Sequence, residues 1–432
     1  MQTDRDGTPA AGRARLGRRS WLRGGMAAAG SLAFAPAAAL AQSQPQPQYP
    51  PDDPPWSQQL GPGVVSRTYG HPSRYEKDVI RRNVPWLTAT PESSVSFTPL
   101  QHQTGIITAS GLFFERYHAG RPTVDPAQHR LMIHGMVDRP LLLTMADIER
   151  FPSVSVVHFI ECPANGGMEW RGAQLNSLQF THGMLGCAEW TGVRLSTLLG
   201  EVGMQKGAKW LLVEGADGAH MARSLPLDKA LDDCLVVYGQ NGEALRPEQG
   251  YPVRLLVPGW QGNVNVKWLR RIQVGDKPWF TREETSKYTE LMPDGRARAF
   301  TWPLYAKSVI TFPCPEMPPK FGAGLYEIRG FAWSGLGKIK QVDVSLDGGI
   351  NWQRAELQAP VLSKALTRFT LPWRWDGKPA LLQSRATDET GFVQPTIAEL
   401  RAVRGTNPIY NNNSIQTWQV KPDGKVYDVQ LG

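Results

Sequence analysis

The sequence predicts two folded modules in tandem, a mixed α+β domain over residues 95–300 and a small antiparallel β-sandwich over residues 301–405. In the first region, short apolar runs alternate with segments in which apolar residues recur at helical spacing. In the second region, short runs of alternating hydrophobicity follow one another with turn residues between them, and helical spacing is scarce. A chain of 432 residues is also long enough to build two separate cores.

The first 41 residues have the pattern of an export signal rather than of a folded element. Arg18 and Arg19 begin a twin-arginine motif, RRSWLR, and the weakly apolar run that follows it ends in Ala-Leu-Ala at residues 39–41. This run is broken by Pro36 and is shorter than the ~20 residues that a membrane-spanning helix needs. We therefore expect residues 1–41 to direct a folded protein, with any cofactor already inserted, to the periplasm.

Residues 42–94 are expected to form an extended linker followed by an N-terminal extension, because they begin with the Pro/Gln-rich stretch QSQPQPQYPPDDPPW. The signal holds six arginines and two aspartates, so without it the formal net charge falls from +8 to +4. So small a charge does not suggest a nucleic-acid partner. A local positive patch for an anionic substrate or an acidic partner remains open. No further segment is long and apolar enough to span a membrane.

Four segments of the first region carry clear secondary-structure signals. Residues 153–162, SVSVVHFIEC, form a nearly continuous apolar run, which predicts a buried strand. Residues 194–203, RLSTLLGEVG, place three leucines and a valine at helical spacing and end in glycine, which predicts a helix. Residues 234–245, CLVVYGQNGEAL, predict a hairpin around an Asn-Gly turn, and residues 251–260, YPVRLLVPGW, predict a strand that ends at Pro-Gly.

The second region contains four similar strand signals. Residues 338–357, KIKQVDVSLDGGINWQRAEL, alternate apolar and polar side chains and turn at Asp-Gly-Gly. Comparable short runs are YEIRGFAWS, RFTLPWRW and ALLQSRATD. These alternating strand segments, separated by turn residues, predict the antiparallel sandwich. The last segment, residues 406–432, is predicted to be an irregular tail on the surface.

The cysteines exclude two kinds of redox centre. The chain has four, Cys162, Cys187, Cys234 and Cys314, and no pair of them forms a C-x-x-C motif. A c-type haem attachment site or a thiolate-bound iron–sulfur cluster is therefore excluded. In an oxidising compartment, a disulfide between two of the last three cysteines remains open.

Cys162 differs from the other three because it ends an apolar strand and begins a stiff turn, Cys-Pro-Ala-Asn-Gly-Gly. A sulfur in this place is held by the packed sheet behind it. Backbone amides in the turn can stabilise a thiolate, and a thiolate is a soft donor suited to a polarisable metal. The alternative is a buried structural thiol, the usual role of an isolated cysteine.

Four long motifs, in this order along the chain, favour the metal ligand over the structural thiol: HRLMIHGMVDRPLLLT, FIECPANGGMEWRGAQLN, PEQGYPVRLLVPGWQGNVNVKWLRRIQVGD and TREETSKYTELMPDGRAR. With them the chain resembles the sulfite oxidase family of molybdenum enzymes over about residues 95–405. Within the family it is most similar to the sulfane dehydrogenase (SoxC-type) molybdenum subunits of bacterial sulfur oxidation. The resemblance implies a domain that binds molybdenum–molybdopterin, followed by an Ig-like domain that serves for homodimerisation.

The resemblance also implies the catalytic residues. Cys162 stands where the family has the cysteine of C-A-G-N-R-R, so it is expected to be the single protein ligand to molybdenum, while the pterin dithiolene supplies the other sulfurs. Tyr288 matches the active-site tyrosine, whose phenol can donate a hydrogen bond to an anionic substrate. Arg116 and Lys338 are expected to stabilise negative charge that builds up on the substrate. Gly167 replaces a family arginine, a loss that weakens bidentate recognition of a small dianion and is expected to leave room for a larger substrate.

Eight residues are implied to hold the pterin, and several depart from the family pattern. Tyr117 replaces the Asn of F-x-R-N-H and Gln249 replaces the His of H-G-F-P-V-R, whereas the arginine and lysine suited to a phosphate are kept. For two of them, Asn265 and Val266, the backbone is the expected contact. The eight residues are Phe114, Arg116, His118, Gln249, Arg254, Asn265, Val266 and Lys267.

The function implied by the resemblance is molybdenum-dependent oxidation of reduced sulfur by oxygen-atom transfer. The expected substrate is a sulfane sulfur on a carrier protein, with free sulfite as the alternative. Because the sequence has no haem or cluster motif, the electrons are expected to pass to a separate c-type cytochrome subunit. Two other classes remain open: a cofactor-free periplasmic binding module, favoured by Gly167 and Gln249, and a molybdenum reductase such as those acting on oxidised methionine. The reductases generally lack the second domain.

Overall fold

The computed structural model describes residues 69, 72–84 and 93–431. The predicted signal at residues 1–41 and most of the predicted linker lie outside the described residues. Within the described part, no helix combines the length and the apolar character that crossing a membrane requires.

The first domain combines strands with short helices, which confirms the α+β prediction. Its α-helices are α1 (Met145–Glu149), α2 (Leu178–His182), α3 (Leu195–Val202), α4 (Leu227–Asp232) and α5 (Arg282–Thr285). Its strands are β1 (Arg82–Asn83), β2 (Ser94–Phe97), β3 (Arg116–Tyr117), β4 (Leu131–Gly135), β5 (Leu141–Leu143), β6 (Ser153–Glu161), β7 (Leu185–Arg194), β8 (Trp210–Gly215), β9 (Ala222–Pro226), β10 (Leu235–Gln240), β11 (Glu243–Ala244), β12 (Arg254–Leu256), β13 (Leu269–Gly275), β14 (Glu290–Leu291) and β15 (Ala297–Arg298).

Two five-stranded sheets form the body of this domain. One has the order β11-β10-β7-β6, with β12 paired to β10, and the other has the order β5-β4-β13-β8-β9, in which β13 runs parallel to β4. A three-stranded sheet, β1-β2-β3, and the hairpin β14-β15 complete it. The four apolar residues of α3 are buried, as their helical spacing predicts. Asn241 and Gly242, which join β10 to β11, both have positive φ, as a two-residue hairpin turn requires.

The second domain is the predicted antiparallel sandwich. Its two sheets have the orders β16-β17-β21-β20 and β19-β18-β22-β23-β24, and large side chains such as Trp333, Phe369 and Trp418 fill the core between them. The elements are β16 (Lys307–Phe312), β17 (Gly324–Trp333), β18 (Ile339–Ser345), β19 (Gln353–Arg354), β20 (Glu356–Leu357), β21 (Thr367–Trp375), β22 (Ala380–Asp388), α6 (Ile397–Arg404), β23 (Thr417–Val420) and β24 (Val426–Val429).

The prediction of an irregular tail at residues 406–432 is wrong for much of its length. β23 and β24 pair with each other, and β23 extends the second sheet by pairing with β22. These strands are held because Trp418, Val420 and Val426 are buried in the sandwich core. The helix α6 was also missed. Its sequence signal is the capping box of Thr396 and Glu399, in which both reciprocal hydrogen bonds form.

All four cysteines are free thiols in the structure. Cys187, Cys234 and Cys314 are buried, and burial raises the pKa of each thiol above its ordinary value. They behave as small apolar core residues, so the disulfide alternative finds no support in this fold.

A buried pair of carboxyl groups joins the last strand to the first domain. Glu169 follows the Cys162 turn, Asp428 lies in β24, and each has a buried side-chain oxygen that accepts no hydrogen bond from a donor group. Burial and the neighbouring Asp428 raise the pKa of Glu169, and burial raises the pKa of Asp428. A carboxyl group with a raised pKa keeps its proton in the folded state at a pH where the unfolded chain has lost it.

Stability should therefore fall as the pH rises above the ordinary carboxyl pKa of ~4 and up to about pH 9, because the pKa of Asp428 is raised to about 6 and that of Glu169 to about 9. Replacing Asp428 by Asn removes one of the two interacting charges and should reduce this decline by on the order of 1 kcal/mol. Denaturant unfolding at several pH values measures it. The control Asp423→Asn, in the exposed turn before β24, should keep the decline, and an equal effect of both substitutions would contradict the shared-proton interpretation.

Candidate active site

One cavity of the first domain brings together ten of the eleven predicted site residues. They come from the β3 region, the end of β6, the β12–β13 region and the segment after α5, so four separate stretches of chain meet here. The ten residues are Phe114, Arg116, His118, Cys162, Gln249, Arg254, Asn265, Val266, Lys267 and Tyr288.

Lys338 is the residue that the structure does not bring to the cavity. It lies exposed in the loop between β17 and β18, and its backbone N–H donates to Glu389 Oε1 at 2.8 Å. The loop touches the first domain through Gly335, which packs directly against the backbone of Gly259 and leaves no room for a side chain. Gly335 and Gly259 therefore make the contact between the two domains, and Lys338 lies further along the loop, away from this contact.

The turn that carries Cys162 is held by hydrogen bonds on both sides. The Cys162 N–H donates to Met184 O at 3.0 Å, and its carbonyl accepts from Asn165 N at 2.9 Å. The side-chain oxygen of Asn165 accepts from Met184 N at 3.1 Å. Desolvation by the surrounding protein raises the pKa of the Cys162 thiol, and the backbone amide of Ala164 and the charge of Arg116 oppose this only in part. A metal would bind the sulfur as a thiolate and displace this proton.

A buried ion pair joins Glu161, the residue before Cys162, to Lys307 of the second domain. Lys307 Nζ of β16 is 3.0 Å from Glu161 Oε1, and both side chains are almost fully buried. Trp333 Nε1 donates to Glu161 Oε2 at 2.7 Å, and Asn165 Nδ2 donates to Glu161 Oε1 at 2.9 Å. Lys307 also donates to the Asn165 carbonyl at 3.0 Å. Three side chains therefore fix the residue that precedes Cys162.

Gly167 does not leave the room that the sequence suggested. A Cβ atom built on Gly167 would lie 2.6 Å from the carbonyl oxygen of Ile409, which is closer than such contacts normally come. Residues just before β23 thus pack where the family has an arginine. The expectation that this substitution opens space for a larger substrate is wrong at this position.

Two cationic side chains, those of Lys267 and Arg254, line the side of the cavity opposite Cys162, and neither forms an ion pair with a carboxylate of the described residues. Lys267 Nζ donates to the carbonyls of Arg116 and Glu248 at 3.0 and 2.9 Å. Arg254 donates to the carbonyls of Gln249 and Asn265, both at 3.0 Å, and its Nε is buried without a partner. Burial lowers the pKa of Arg254 to about 9 and, together with the charge of Arg254, that of Lys267 to about 7. Cations desolvated in this way favour the binding of an anion.

Tyr288 is placed by contacts with three neighbours. Its hydroxyl is 3.2 Å from Nε2 of His118, its ring centroid is 5.0 Å from that of Tyr410, and the Cζ atom of Arg223 lies 5.4 Å from its ring centroid. Its φ of +52° is unusual for a large side chain. Burial raises the pKa of Tyr288, and burial with nearby cations lowers that of His118 to about 4. Both side chains are therefore uncharged near neutral pH.

Arg116 keeps its guanidinium beside the cavity through contacts with its own sheet. Its Nη1 donates to the side chain of Ser93 and the carbonyl of Ser94 at 3.2 Å each, and to the carbonyl of Tyr117 at 2.8 Å. The side chain is thus oriented by strand pairing between β2 and β3.

Sequence reasoning missed several residues of the site. Asp217, Met221 and Asn263 line the cavity, and Tyr410 packs on Tyr288. Asn263 could have been found from its place in the motif GNVNVKW. The other three lie in segments without a motif, so nothing local in the sequence marks them.

Comparisons with known proteins agree with this arrangement. A family model for the oxidoreductase molybdopterin binding domain matches residues 118–282, and one for the Mo-co oxidoreductase dimerisation domain matches residues 298–418. Sulfite oxidase of Gallus gallus is 31% identical over 328 residues, which cover 69% of this chain and 70% of that protein. Mitochondrial sulfite oxidase of Mus musculus is 31% identical over 337 residues, but the chain spans only 60% of its length.

Among solved structures, the sulfane dehydrogenase SoxCD from Paracoccus pantotrophus is similar with a TM-score of 0.84 and 52% identity. The match covers 88% of this chain and 98% of that chain. Together these findings confirm the predicted fold class, a molybdopterin-binding domain followed by a dimerisation domain, and the molybdenum–molybdopterin cofactor. The residues present fit that group, because Cys162 offers a sulfur ligand at one side of the cavity and two cations without carboxylates can hold a phosphate at the other.

Replacing Lys307 by Met should destabilise the fold by about 3–5 kcal/mol, because Glu161 would be left as an uncompensated buried charge. Denaturant unfolding of the variant, with Lys320→Met as an exposed control, measures the loss. The double variant Lys307→Met/Glu161→Gln should recover part of it. A stable single variant would show that the ion pair does not support the turn.

Replacing Lys267 by Met should weaken retention of the pterin by about 30-fold or more, since removing one partner of a buried charge pair costs roughly 2 kcal/mol or more. In the wild type, affinity should also fall as the pH rises through about 7, because the pKa of Lys267 is lowered to about 7 and the amine then loses its charge. Pterin released per chain, measured by fluorescence, reports both effects. The exposed control Lys340→Met should change neither, and retention of the pH dependence in Lys267→Met would contradict the assignment.

Proposed function

The chain belongs to the sulfite oxidase family of molybdenum enzymes, and from that premise we propose that it oxidises a reduced sulfur group and passes the electrons to a separate acceptor. The observation that supports this most directly is the meeting of a sulfur ligand, an anion-binding cradle and a neutral phenol in one cavity. The family match extends through both domains, and the relatives are sulfite oxidases and a sulfane dehydrogenase.

The protein residues divide the work between cofactor and substrate. Molybdenum held by its pterin in this cavity would supply oxygen-atom transfer and two-electron redox chemistry. Cys162 holds the metal in place, while Arg254 and Lys267 bind the pterin phosphate by charge and hydrogen bonds. Tyr288, uncharged at neutral pH, donates a hydrogen bond to the anionic sulfur group as it becomes oxidised, and Arg116 stabilises the negative charge that develops there.

The proposed substrate is a sulfane sulfur presented by a carrier protein. Its support is the 52% identity to a protein named as a sulfane dehydrogenase, against 31% for the sulfite oxidases. Free sulfite is the second candidate, and the match to the sulfite oxidases favours it. The two substrates differ in size and charge, but both present an anionic sulfur group, so the same residues would serve either one.

The proposed acceptor is a c-type cytochrome subunit, because the sequence lacks a haem-attachment or cluster motif of its own. Within the described residues, no cluster of His, Cys, Asp and Glu could hold a further metal ion. The match to a dimerisation domain supports a homodimer through residues 301–405. The twin-arginine pattern at Arg18 and Arg19 supports export to the periplasm.

An assay of the purified protein with a c-type cytochrome from the same source tests this function. Carrier-bound persulfide should drive cytochrome reduction faster than free sulfite does, and the chain without the cytochrome should turn over slowly. A preference for free sulfite would favour the second candidate. Turnover of neither substrate by protein that contains full molybdenum would overturn the proposal.

Replacing Cys162 by Ser should lower activity by more than about 100-fold, because even outer-shell changes around a metal cost 10–100-fold. The fold should persist, since the turn is held by backbone and Asn165 contacts that do not involve the thiol. X-ray absorption should show one sulfur fewer at molybdenum. The control Cys187→Ala removes a buried thiol from β7 and should leave both readouts unchanged; a fully active Cys162→Ser protein would end the ligand assignment.

A further inference from the structure

A buried arginine that none of these steps uses lies behind Tyr288. Arg223 belongs to β9 and is 1% exposed. Its Cζ atom stands 5.4 Å from the centroid of the Tyr288 ring. A guanidinium within about 6 Å of an aromatic centroid is attracted by the ring, and more strongly so where water is excluded.

Arg223 is fixed on two further sides. Its Nη1 donates to Oδ1 of Asn263 at 2.5 Å and to the carbonyl of Glu283 at 3.2 Å. Asn263 lines the cavity, and Glu283 belongs to α5, the helix that leads to Tyr288. The guanidinium thus joins the phenol ring, a wall of the cavity and the helix that positions the ring.

An ion pair between Arg223 and Glu284 that only stabilised the fold would not account for the contacts of Arg223 with Tyr288 and Asn263. Arg223 Nε lies 3.5 Å from Glu284 Oε1 but makes no hydrogen bond and is buried without a partner. Glu284 already accepts from the N–H and hydroxyl of Ser224 and from the N–H of Thr281. The carboxylate therefore has three donors without Arg223, so its hydrogen-bonding capacity does not require the arginine.

A guanidinium at the ring face has a chemical consequence for the phenol. It stabilises electron density on the ring and so favours partial transfer of the hydroxyl proton to an acceptor. The hydroxyl group becomes a stronger hydrogen-bond donor without changing its position. Arg223 opposes the increase in pKa that burial causes at Tyr288.

We propose that Arg223 is a positioning residue that holds the Tyr288 ring and Asn263 and strengthens the Tyr288 hydroxyl as a donor to an anionic sulfur–oxygen group in the cavity. The identity of that anion rests on the proposed function, whereas the effect on the phenol does not. The family has an arginine at the position of Gly167, whereas Arg223 places a guanidinium behind Tyr288 from a different element, β9.

Three variants test the proposal: Arg223→Met, which keeps much of the volume, Arg223→Lys, which keeps the charge, and Arg223→Met/Glu284→Gln, which leaves no unpaired carboxylate. The control is Arg385→Met in the second domain. Arg385 also lies over an aromatic ring, that of Trp352 at 4.3 Å, is hydrogen-bonded to Asp343, and has an unpartnered buried Nε.

The first readout is the titration of 3-fluorotyrosine placed at position 288, followed by fluorine NMR without substrate. Its pKa should rise in Arg223→Met and in the double variant, and Arg223→Lys should restore part of the difference. The control should not shift it. An unchanged titration in Arg223→Met would overturn the proposal, whatever the activity of the variant.

The second readout is steady-state kinetics of the metal-loaded protein. Loss of a donor that touches a developing anion costs about 10²–10³-fold, and Arg223 acts through one intervening residue, so kcat should fall by at least ~10-fold with little change in KM. A fall in kcat that only follows the metal content or the melting temperature would overturn the proposal. If the wild type lacks sulfur-oxidising activity, the proposed function fails, and the fluorine titration alone decides the role of Arg223.

Discussion

The buried ion pair between Glu161 and Lys307 is the interaction on which the site depends. Two charges removed from water are costly unless their remaining hydrogen-bonding capacity is used. Here Trp333 and Asn165 supply the additional donors to the carboxylate, and the Asn165 carbonyl accepts from the lysine. Since Glu161 directly precedes Cys162, the position of the proposed metal ligand is set jointly by both domains. The second domain is thus a structural part of the active site.

The side of the cavity opposite Cys162 carries two positive charges that no carboxylate in the described part of the chain neutralises. Arg254 and Lys267 donate only to neutral carbonyl and amide oxygens, and burial lowers the pKa of both. Without an anion, the folded chain carries the cost of desolvating these cations. Binding of a phosphate-bearing cofactor removes that cost, so it stabilises the fold by mass action as well as completing the site.

The parts of the molecule that the sequence predicted are those encoded locally. The buried run of β6, the spacing of α3 and the Asn-Gly hairpin each depend on a few neighbouring residues. Seven of the ten cavity residues lie in the four long motifs, and the other three lie in the short motif FERYH. The failures depend on long-range packing. β23 and β24 form because a distant sandwich buries Trp418, and Lys338 lies away from the cavity because Gly335 makes the contact with the first domain.

The two sides of the cavity are consequently built from different kinds of segment, one local in sequence and one assembled from distant elements. The cofactor side is built mostly within one motif, because three of the four carbonyls that accept from its cations, those of Glu248, Gln249 and Asn265, lie in the same segment as Arg254 and Lys267. The substrate side is built around Tyr288, whose positive φ costs of order 1–3 kcal/mol and persists only because surrounding contacts overcome it. Those contacts come from Arg223 of β9, His118 after β3 and Tyr410 of the C-terminal segment. Substitutions in these distant segments can therefore alter the position and acidity of the phenol, and hence the choice of substrate, while the cofactor cradle stays the same.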